Sequence, residues 1–399
     1  MAKKNDGAPY KTDTLLTTVG RDPVANFGIV NPPVYHASTV TFPTVAAMEA
    51  VNKTPFDAVY YGRHGTPTTF ALQDAMAELD GGQGRRGIAC GSGVAALDAT
   101  IAAFVSAGDH LLVTDSAYDP TRRFCNEFLK KFGVETTYYD PMIGAGITAL
   151  MRPNTKAVVV EAPGSLTFEV QDIPAIAEAA HKADAAVIMD NSWATPLLYK
   201  AFDHGVDVSI YSATKYIVGH SDAMMGVIVT TPETFLQVRK SVAMFGAAPG
   251  PDDCYLALRG LRTLSVRLER HEKSAMKIAE WLKGRPEVAK VLHPAFADCP
   301  GHDIWKRDFT GASGLFSIVL KPTSKAALTA MLDGMRLFAM GYSWGGYESL
   351  IIPVNPSAFR TAVPWSADGP LVRLHVGLED VDDLIADLSD GFKRLAAAL

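Results

Sequence analysis

Cysteine is scarce: the 399 residues contain 4, Cys90, Cys125, Cys254 and Cys299, with no C-x-x-C pair among them. That excludes a disulfide scaffold and the usual zinc spacings, and it suits free thiols in a reducing, cytoplasmic setting. Also missing is any apolar run near the roughly 18 residues that cross a bilayer. The opening MAKKNDGAPY carries lysines but no apolar segment follows, so neither a secretory leader nor membrane insertion is expected. Positive charge is not in excess. Lys and Arg number 37 against 43 Asp and Glu, a net charge of −6, which leaves no basic field for a nucleic-acid backbone or an anionic membrane. Repeats and low-complexity stretches are absent. The acidic run GLEDVDDLIADLSD reads as a helix start and its solvated face, and no histidine has a metal-like partner spacing, so no metal is expected.

What is present is a soluble globular composition, 48% hydrophobic and 20% charged, with length for roughly two to three domains. Residues 1–65 show little periodicity and contain N-P-P at Asn31 to Pro33; they read as an extended arm with one short helix, and such an arm needs a surface to lie on. Short apolar runs then recur at 87–90, 110–114, 156–161, 185–190, 208–211 and 226–230. Runs without polar alternation are strands buried on both faces, hence a mostly parallel sheet covered by helices. A long helical stripe follows through Leu261, Leu264, Leu268, Ala275, Ile278 and Leu282, closing at Gly284 and Pro286. After it come an alternating strand, LFSIVL (315–320), a second strand within LVRLHVG (371–377), and a helix striped by Leu384, Ile385, Leu388, Phe392 and Leu395. The expected division is an arm (1–65), a large α/β domain (66–260) and a smaller α+β domain (261–399).

In CGSGVAALDATIAAF a short apolar run enters Gly91 and Gly93 and opens a helix, which aims bare amides at an anion. The match to G-x-G-x-x-A, with Asp115 ending the next apolar run, keeps an NAD-dependent dehydrogenase open. So does the plainer reading, in which the glycines only tighten a turn. Asp190 ends a wholly apolar run, and Lys215 follows another, VSIY, between the hydroxyls of Ser212 and Thr214. A lysine at a buried strand end is costly unless neutralised or covalently committed, and a Schiff base does both. Pyridoxal phosphate asks for such an amine, an acid for its pyridine nitrogen, and phosphate donors from a helix N-terminus and hydroxyls. Lys215, Asp190, the Gly93 and Val94 amides, Ser212 and Thr214 answer those needs, whereas a dehydrogenase leaves Lys215 unexplained.

The stretch SATKYIVGHSD (212–222) resembles the lysine motif of the Cys/Met-metabolism family of fold-type I pyridoxal-phosphate enzymes. The resemblance continues in order through YYGRHGTPT (60–68), TDSAYDPT (114–121), EAPGS (161–165), MDNSWA (189–194), GYSWGGYESL (341–350) and LVRLHVGLED (371–380). It implies a large domain with a mostly parallel seven-stranded sheet, a smaller C-terminal α+β domain, and pyridoxal 5'-phosphate as cofactor. It also implies Tyr118 as a ring stacked on the cofactor and active in catalysis beside Lys215 and Asp190. Tyr61 and Arg63 become phosphate contacts from a neighbouring subunit in a homo-oligomer, a tetramer built as a dimer of dimers. Arg373 becomes the clamp for the substrate carboxylate, with Tyr342, Ser343, Trp344 and Tyr61 around the substrate. Val94 stands where family members often carry Met, a change that matters little for a backbone contact.

The implied reaction is β-elimination from L-cystathionine to homocysteine, pyruvate and ammonia, on a small-molecule sulfur amino acid. Tyr342 and Trp344 flanking Ser343, and Thr66 where γ-acting relatives usually have Asn, favour it over γ-elimination or γ-replacement by the same family. The histidines at 64, 220 and 375 read as structural or as supports behind the site rather than as catalytic groups, and Cys90 has no visible activating base.

Overall fold

The apolar runs of the first two-thirds of the chain fold as strands because helices cover both of their faces. The computed structural model describes residues 10–399 apart from Pro55 and Gln83; the lysines of the opening MAKK lie outside the described residues. Six runs become β1 (Arg86–Cys90), β2 (His110–Thr114), β4 (Thr155–Glu161), β5 (Ala186–Asp190), β6 (Val208–Tyr211) and β7 (Gly226–Thr230). The seventh strand, β3 (Glu135–Tyr139), has no apolar run to betray it. Its sequence ETTYY lies at the edge of the sheet, whose order is β1-β7-β6-β5-β4-β2-β3, and an edge strand keeps one side in water. From β3 through β6 the pairing is parallel, and only β7 runs against its two neighbours, β1 and β6. The C-terminal ends of β4, β5 and β6 therefore share one edge, with Glu161 opposite Asp190 and Asp190 opposite Ile210 in register.

That strand order corrects the dehydrogenase alternative. A dinucleotide fold places the glycine-loop strand beside the strand carrying its ribose acid, but here β7, β6, β5 and β4 separate β1 from β2. Asp115 is moreover fully buried, paired with Arg122 at 3.0 Å and Arg360 at 3.3 Å. It accepts the backbone amides of Thr361, Ala362 and Val363 as well. It staples the 359–363 loop to the sheet and has no exposed surface.

The single helix expected from Leu261 to Leu282 is two, Pro251–Leu261 and Leu264–Lys283. The break is held by buried Arg267, which donates to Gly260 O at 2.8 Å and to Tyr216 O at 2.6 Å, supplying the end carbonyl with a partner. Beyond it a four-stranded antiparallel sheet, order β10-β11-β9-β8, is built from β8 (Val288–Leu292), β9 (Leu315–Leu320), β10 (Leu350–Val354) and β11 (Leu371–His375). The expected polar alternation of β9 is not a solvent face, since all six residues are buried. Phe316, Ile318 and Leu320 pack with Leu384, Leu388 and Phe392 of the Val381–Ala397 helix, while Leu315 and Val319 join the core beneath the large sheet. Ile385, expected on the closing helix's stripe, is only partly buried.

The arm holds two helices rather than one, Thr12–Thr18 and Val45–Asn52, with a further turn at Gly62–His64. Leu16 anchors it among Leu72, Met76 and Leu258, but Val24, Phe27, Ile29 and Val30 remain exposed, Phe27 at 95%.

Candidate active site

The shared edge of β4, β5 and β6 opens into a cavity of about 400 Å³ roofed by the 342–344 loop and Arg373. At its floor the Gly93–Phe104 helix begins with Ser92, whose hydroxyl accepts the Ala95 amide at 3.0 Å. Gly93 has no side chain for a reason of space. A Cβ there would lie 2.5 Å from Ser212 Oγ and 3.0 Å from Ser212 Cα, so helix start and Ser212 meet directly, an arrangement of amides and hydroxyl that could cradle an anion. Val94 lines the same wall. Thr214 lines it too, but its hydroxyl both accepts from Met225 N (2.8 Å) and donates to Met225 O (3.1 Å).

Asp190 ends β5 at the bottom of the cavity, its Oδ1 accepting the Ser192 amide at 3.0 Å. Burial raises its pKa, against the pull of Ser192 and Lys215. Across from it, Lys215 sits just past β6, mostly enclosed. Burial, and next the Arg373 guanidinium, lower its amine from 10.5 to about 8, with Asp190 opposing. Its Nζ donates to Ser343 Oγ at 2.8 Å and stands 5.1 Å from the centre of the Trp344 ring. Trp344 also packs against two of the core clusters around the large sheet, so one ring lines the cavity and belongs to the core. Tyr342 is 92% exposed, at the rim. Tyr118, half-exposed, lines the side wall.

Arg373 lies on β11 with Nη2 bonded to Tyr342 O at 2.8 Å and Ser343 O at 3.2 Å. Its hydrogen-bond partners among the described residues are loop carbonyls and not carboxylates, a costly state for a largely buried guanidinium unless an anion arrives. Tyr61 and Arg63 are not at this cavity. Arg63 donates to Ala243 O at 2.6 Å and lines a separate surface hollow with Phe56, Met244 and Phe245, and Tyr61 is half-exposed near His64.

Two residues of the site escaped the sequence reading of individual roles. Glu161, ending β4, lines the cavity and accepts the Tyr118 amide at 2.7 Å; burial and then Asp190 hold its carboxyl well above the usual range. Ser192 ties Asp190 to the cradle, its Oγ accepting the Ser212 amide at 2.7 Å. The available signal was position: Glu161 ends an apolar run as Asp190 does, and Ser192 is two residues past an Asp, where Asx turns bond. The four cysteines are free and buried, their thiols pushed up to about 12, chiefly by burial. Among the described residues no group of three His, Cys, Asp or Glu could hold a metal.

An amine that sheds its proton near neutrality, a buried acid facing it, an anion cradle with no room for a side chain and an unpaired guanidinium are what pyridoxal phosphate and an amino-acid carboxylate require. The family described as Cys/Met metabolism PLP-dependent enzyme matches residues 13–393. The chain belongs to that family. It is 50% identical over 389 residues to a putative cystathionine beta-lyase of Rhizobium johnstonii, covering 96% of each chain. To the cystathionine beta-lyase MetC of Escherichia coli K12 it is 48% identical over 395 residues, covering 97% of this chain and all of that one. Among solved structures, a cystathionine gamma synthase of Xanthomonas oryzae pv. oryzae in complex with aminoacrylate and cysteine superposes with a TM-score of 0.88 at 33% identity, over 98% of this chain and 100% of that one. The fold is thus that of fold-type I enzymes of this family, and the cofactor is pyridoxal phosphate.

Proposed function

We propose that the protein is a carbon–sulfur lyase that cleaves the Cβ–S bond of L-cystathionine, giving homocysteine, pyruvate and ammonia. The observation that carries it is the Lys215 amine, enclosed between Asp190 and Arg373 and held by Ser343 Oγ at 2.8 Å. Bound pyridoxal phosphate supplies an electron sink conjugated to the substrate Cα.

The rest of the work falls to this chain. Arg373 grips the substrate α-carboxylate with the donors that the loop carbonyls leave free, a bidentate hold suited to a guanidinium. That grip orients Cα toward Lys215, whose neutral Nζ takes the Cα proton; an amine near 8 is matched to that task where an ordinary lysine is not. Asp190 at the cavity floor is the acid that would hold the pyridine nitrogen of the bound cofactor protonated. The amides of Gly93 and Val94, with the Ser212 hydroxyl, would receive the phosphate; Thr214 would join them only by giving up its bond to Met225 O, and the Tyr118 ring would close the side. Trp344 packs beside the lysine amine and Tyr342 stands at the rim, the aromatic pair on the loop over the substrate. β-Elimination needs only that the sulfur leave out of plane, whereas γ-chemistry needs a second deprotonation at Cβ and room for the chain to swing. The γ-lyase or γ-synthase reading is the runner-up, favoured by the superposition on a γ-synthase.

The reading keeps an arm (1–65), a large domain (66–260) and a small domain (261–399), and assembles the protein as a dimer of dimers in the cytoplasm. Exposed Val24, Phe27, Ile29 and Val30 on the arm support a partner subunit, to whose cavity Tyr61 and Arg63 would be offered. The free buried thiols suit a reducing compartment; no helix among the described residues is long and apolar enough to cross a membrane. The deciding experiment supplies L-cystathionine and identifies the keto acid. Pyruvate with homocysteine supports the proposal; 2-oxobutanoate with cysteine overturns it in favour of the γ-lyase.

A further inference from the structure

The loop from Gly341 to Gly346 meets Lys215 with Ser343 and Trp344, yet it contains neither helix nor strand. Its position has to be imposed from outside. Two side chains of β11 do so, Arg373 and His375, which are two residues apart and so share one face of the strand. Arg373 holds the carbonyls of Tyr342 and Ser343. His375 Nε2 lies 3.1 Å from the Gly345 amide nitrogen and 3.1 Å from the Gly346 carbonyl oxygen.

The turn it meets has no slack. Gly345 adopts φ +89°, a conformation that disfavours a side chain. A Cβ there would also stand 2.8 Å from both the carbonyl carbon of Lys215 and the amide nitrogen of Tyr216. The turn thus rests on the Lys215 peptide itself, and a small displacement of it moves Ser343 Oγ and the Trp344 ring relative to Nζ.

We infer that His375 is a positioning residue for the proposed reaction: its Nε2 seats the Gly345–Gly346 turn on the Lys215 peptide and thereby holds Ser343 Oγ and the Trp344 face on the lysine amine. The inference rests on Lys215 being the reactive amine. His375 is 1% exposed, boxed in by the rings of His271 at 5.3 Å and Tyr216 at 5.9 Å. Burial first, then His271, with Arg373 and Lys215 adding to it against the Gly346 carbonyl, lower its pKa to about 3. The ring is neutral throughout the working range, so its Nε2 makes one hydrogen bond at a time, accepting the Gly345 N–H or donating to the Gly346 carbonyl according to its tautomer. Its Nδ1 has no partner among the described residues, so Nε2 is the functional end.

Two substitutions separate that role from mere core filling. His375→Leu fills the space without hydrogen bonds; His375→Gln presents a carbonyl and an amino group to the same two backbone partners. The first readout is the apoprotein's tryptophan emission against pH, taken as the difference between each protein and the same protein carrying Trp344→Phe. Because Nζ stands over the Trp344 ring, its protonation changes that emission, with a midpoint near 8 in the parent. For His375→Leu the midpoint should move upward or the transition should vanish, and in holoenzyme kcat should fall about tenfold, as for loss of one buried hydrogen bond that leaves its backbone partner unsatisfied, while KM changes less. His375→Gln should restore both.

A folded His375→Leu with the parent's titration and kcat overturns the inference. So does a His375→Gln variant as impaired as the leucine one, since the ring and not Nε2 would then be what matters. If His375→Leu fails to fold, the glutamine variant decides alone: a parental titration supports the role and a lost one refutes it. The titration needs no substrate, so it can fail or succeed whichever keto acid the enzyme makes.

Discussion

Arg373 is the residue whose replacement tests most of the reasoning at once. Its Nη2 is committed to Tyr342 O and Ser343 O, and its remaining donors have no carboxylate among the described residues. Arg373→Lys keeps the charge but replaces a planar fork by a point donor, so the substrate carboxylate loses one of two charge-assisted bonds. Such a bond contributes about 1.5–3 kcal/mol, which predicts a fall in kcat/KM of about 10- to 150-fold. Arg373→Leu removes the charge as well, and a second consequence follows from the sign of its effect on Lys215. The guanidinium is a like charge that lowers the lysine pKa, second to burial; without it the amine holds its proton to higher pH. The assay is the pH dependence of Lys215 modification by an amine-reactive reagent in the apoprotein, read by peptide mapping. The midpoint, near 8 in the parent, should rise in Arg373→Leu, alongside a steady-state series with L-cystathionine. A kcat/KM for Arg373→Lys within about threefold of the parent would refute the bidentate grip. A Lys215 midpoint that stays put or falls would refute the electrostatic coupling.

Three further outcomes are expected. Lys215→Ala should abolish pyruvate formation, the loss exceeding the roughly 10²- to 10⁴-fold supplied by a general base because the cofactor's covalent anchor goes too. Gly93→Ala should leave the fold intact but weaken cofactor binding by about 5- to 150-fold, because a Cβ 3.0 Å from the Ser212 backbone forces a shift of the 1–3 kcal/mol typical of overpacking; titration of apoprotein with pyridoxal phosphate, followed by visible absorbance, measures it. Arg63→Ala and Lys215→Ala, each inactive alone, should regain partial activity when co-expressed as mixed oligomers, and a fully active monomer on a sizing column would remove the basis for that expectation.

The parts of the fold that were legible are those where one physical cause acts alone. Strands buried on both faces announce themselves as unbroken apolar runs, and β2, β6 and β7 coincide with theirs to the residue. Where two causes compete, the pattern misleads. In β3 an edge position lets polar residues into a strand. At Gly260 the close approach of the Ile217 carbonyl, 2.1 Å from where a Cβ would be, brings Arg267 in to satisfy a helix end in mid-stripe, and no periodicity of apolar residues encodes that. The serine in LFSIVL looks like a solvent-facing alternation, but Ser317 is fully buried because β9 lies between two cores.

The site divides in the same way, along the line between chemistry and support. A lysine and an acid at buried strand ends are conspicuous because each is expensive there, so Lys215 and Asp190 could be singled out from local sequence. Residues that act by holding backbone are not expensive and leave no such mark. Glu161, Ser192 and His375 each bond a main-chain amide or carbonyl, and their importance depends on which distant loop arrives opposite them. For His375 that loop begins 34 residues earlier in the sequence (375 − 341) and is placed only when β10 and β11 pair. A histidine in an apolar strand therefore reads only as structural or as an unspecified support behind the site. It is structural, but the structure it maintains is the seat of the reactive amine, and so a substitution there should change the lysine's titration before it changes the fold.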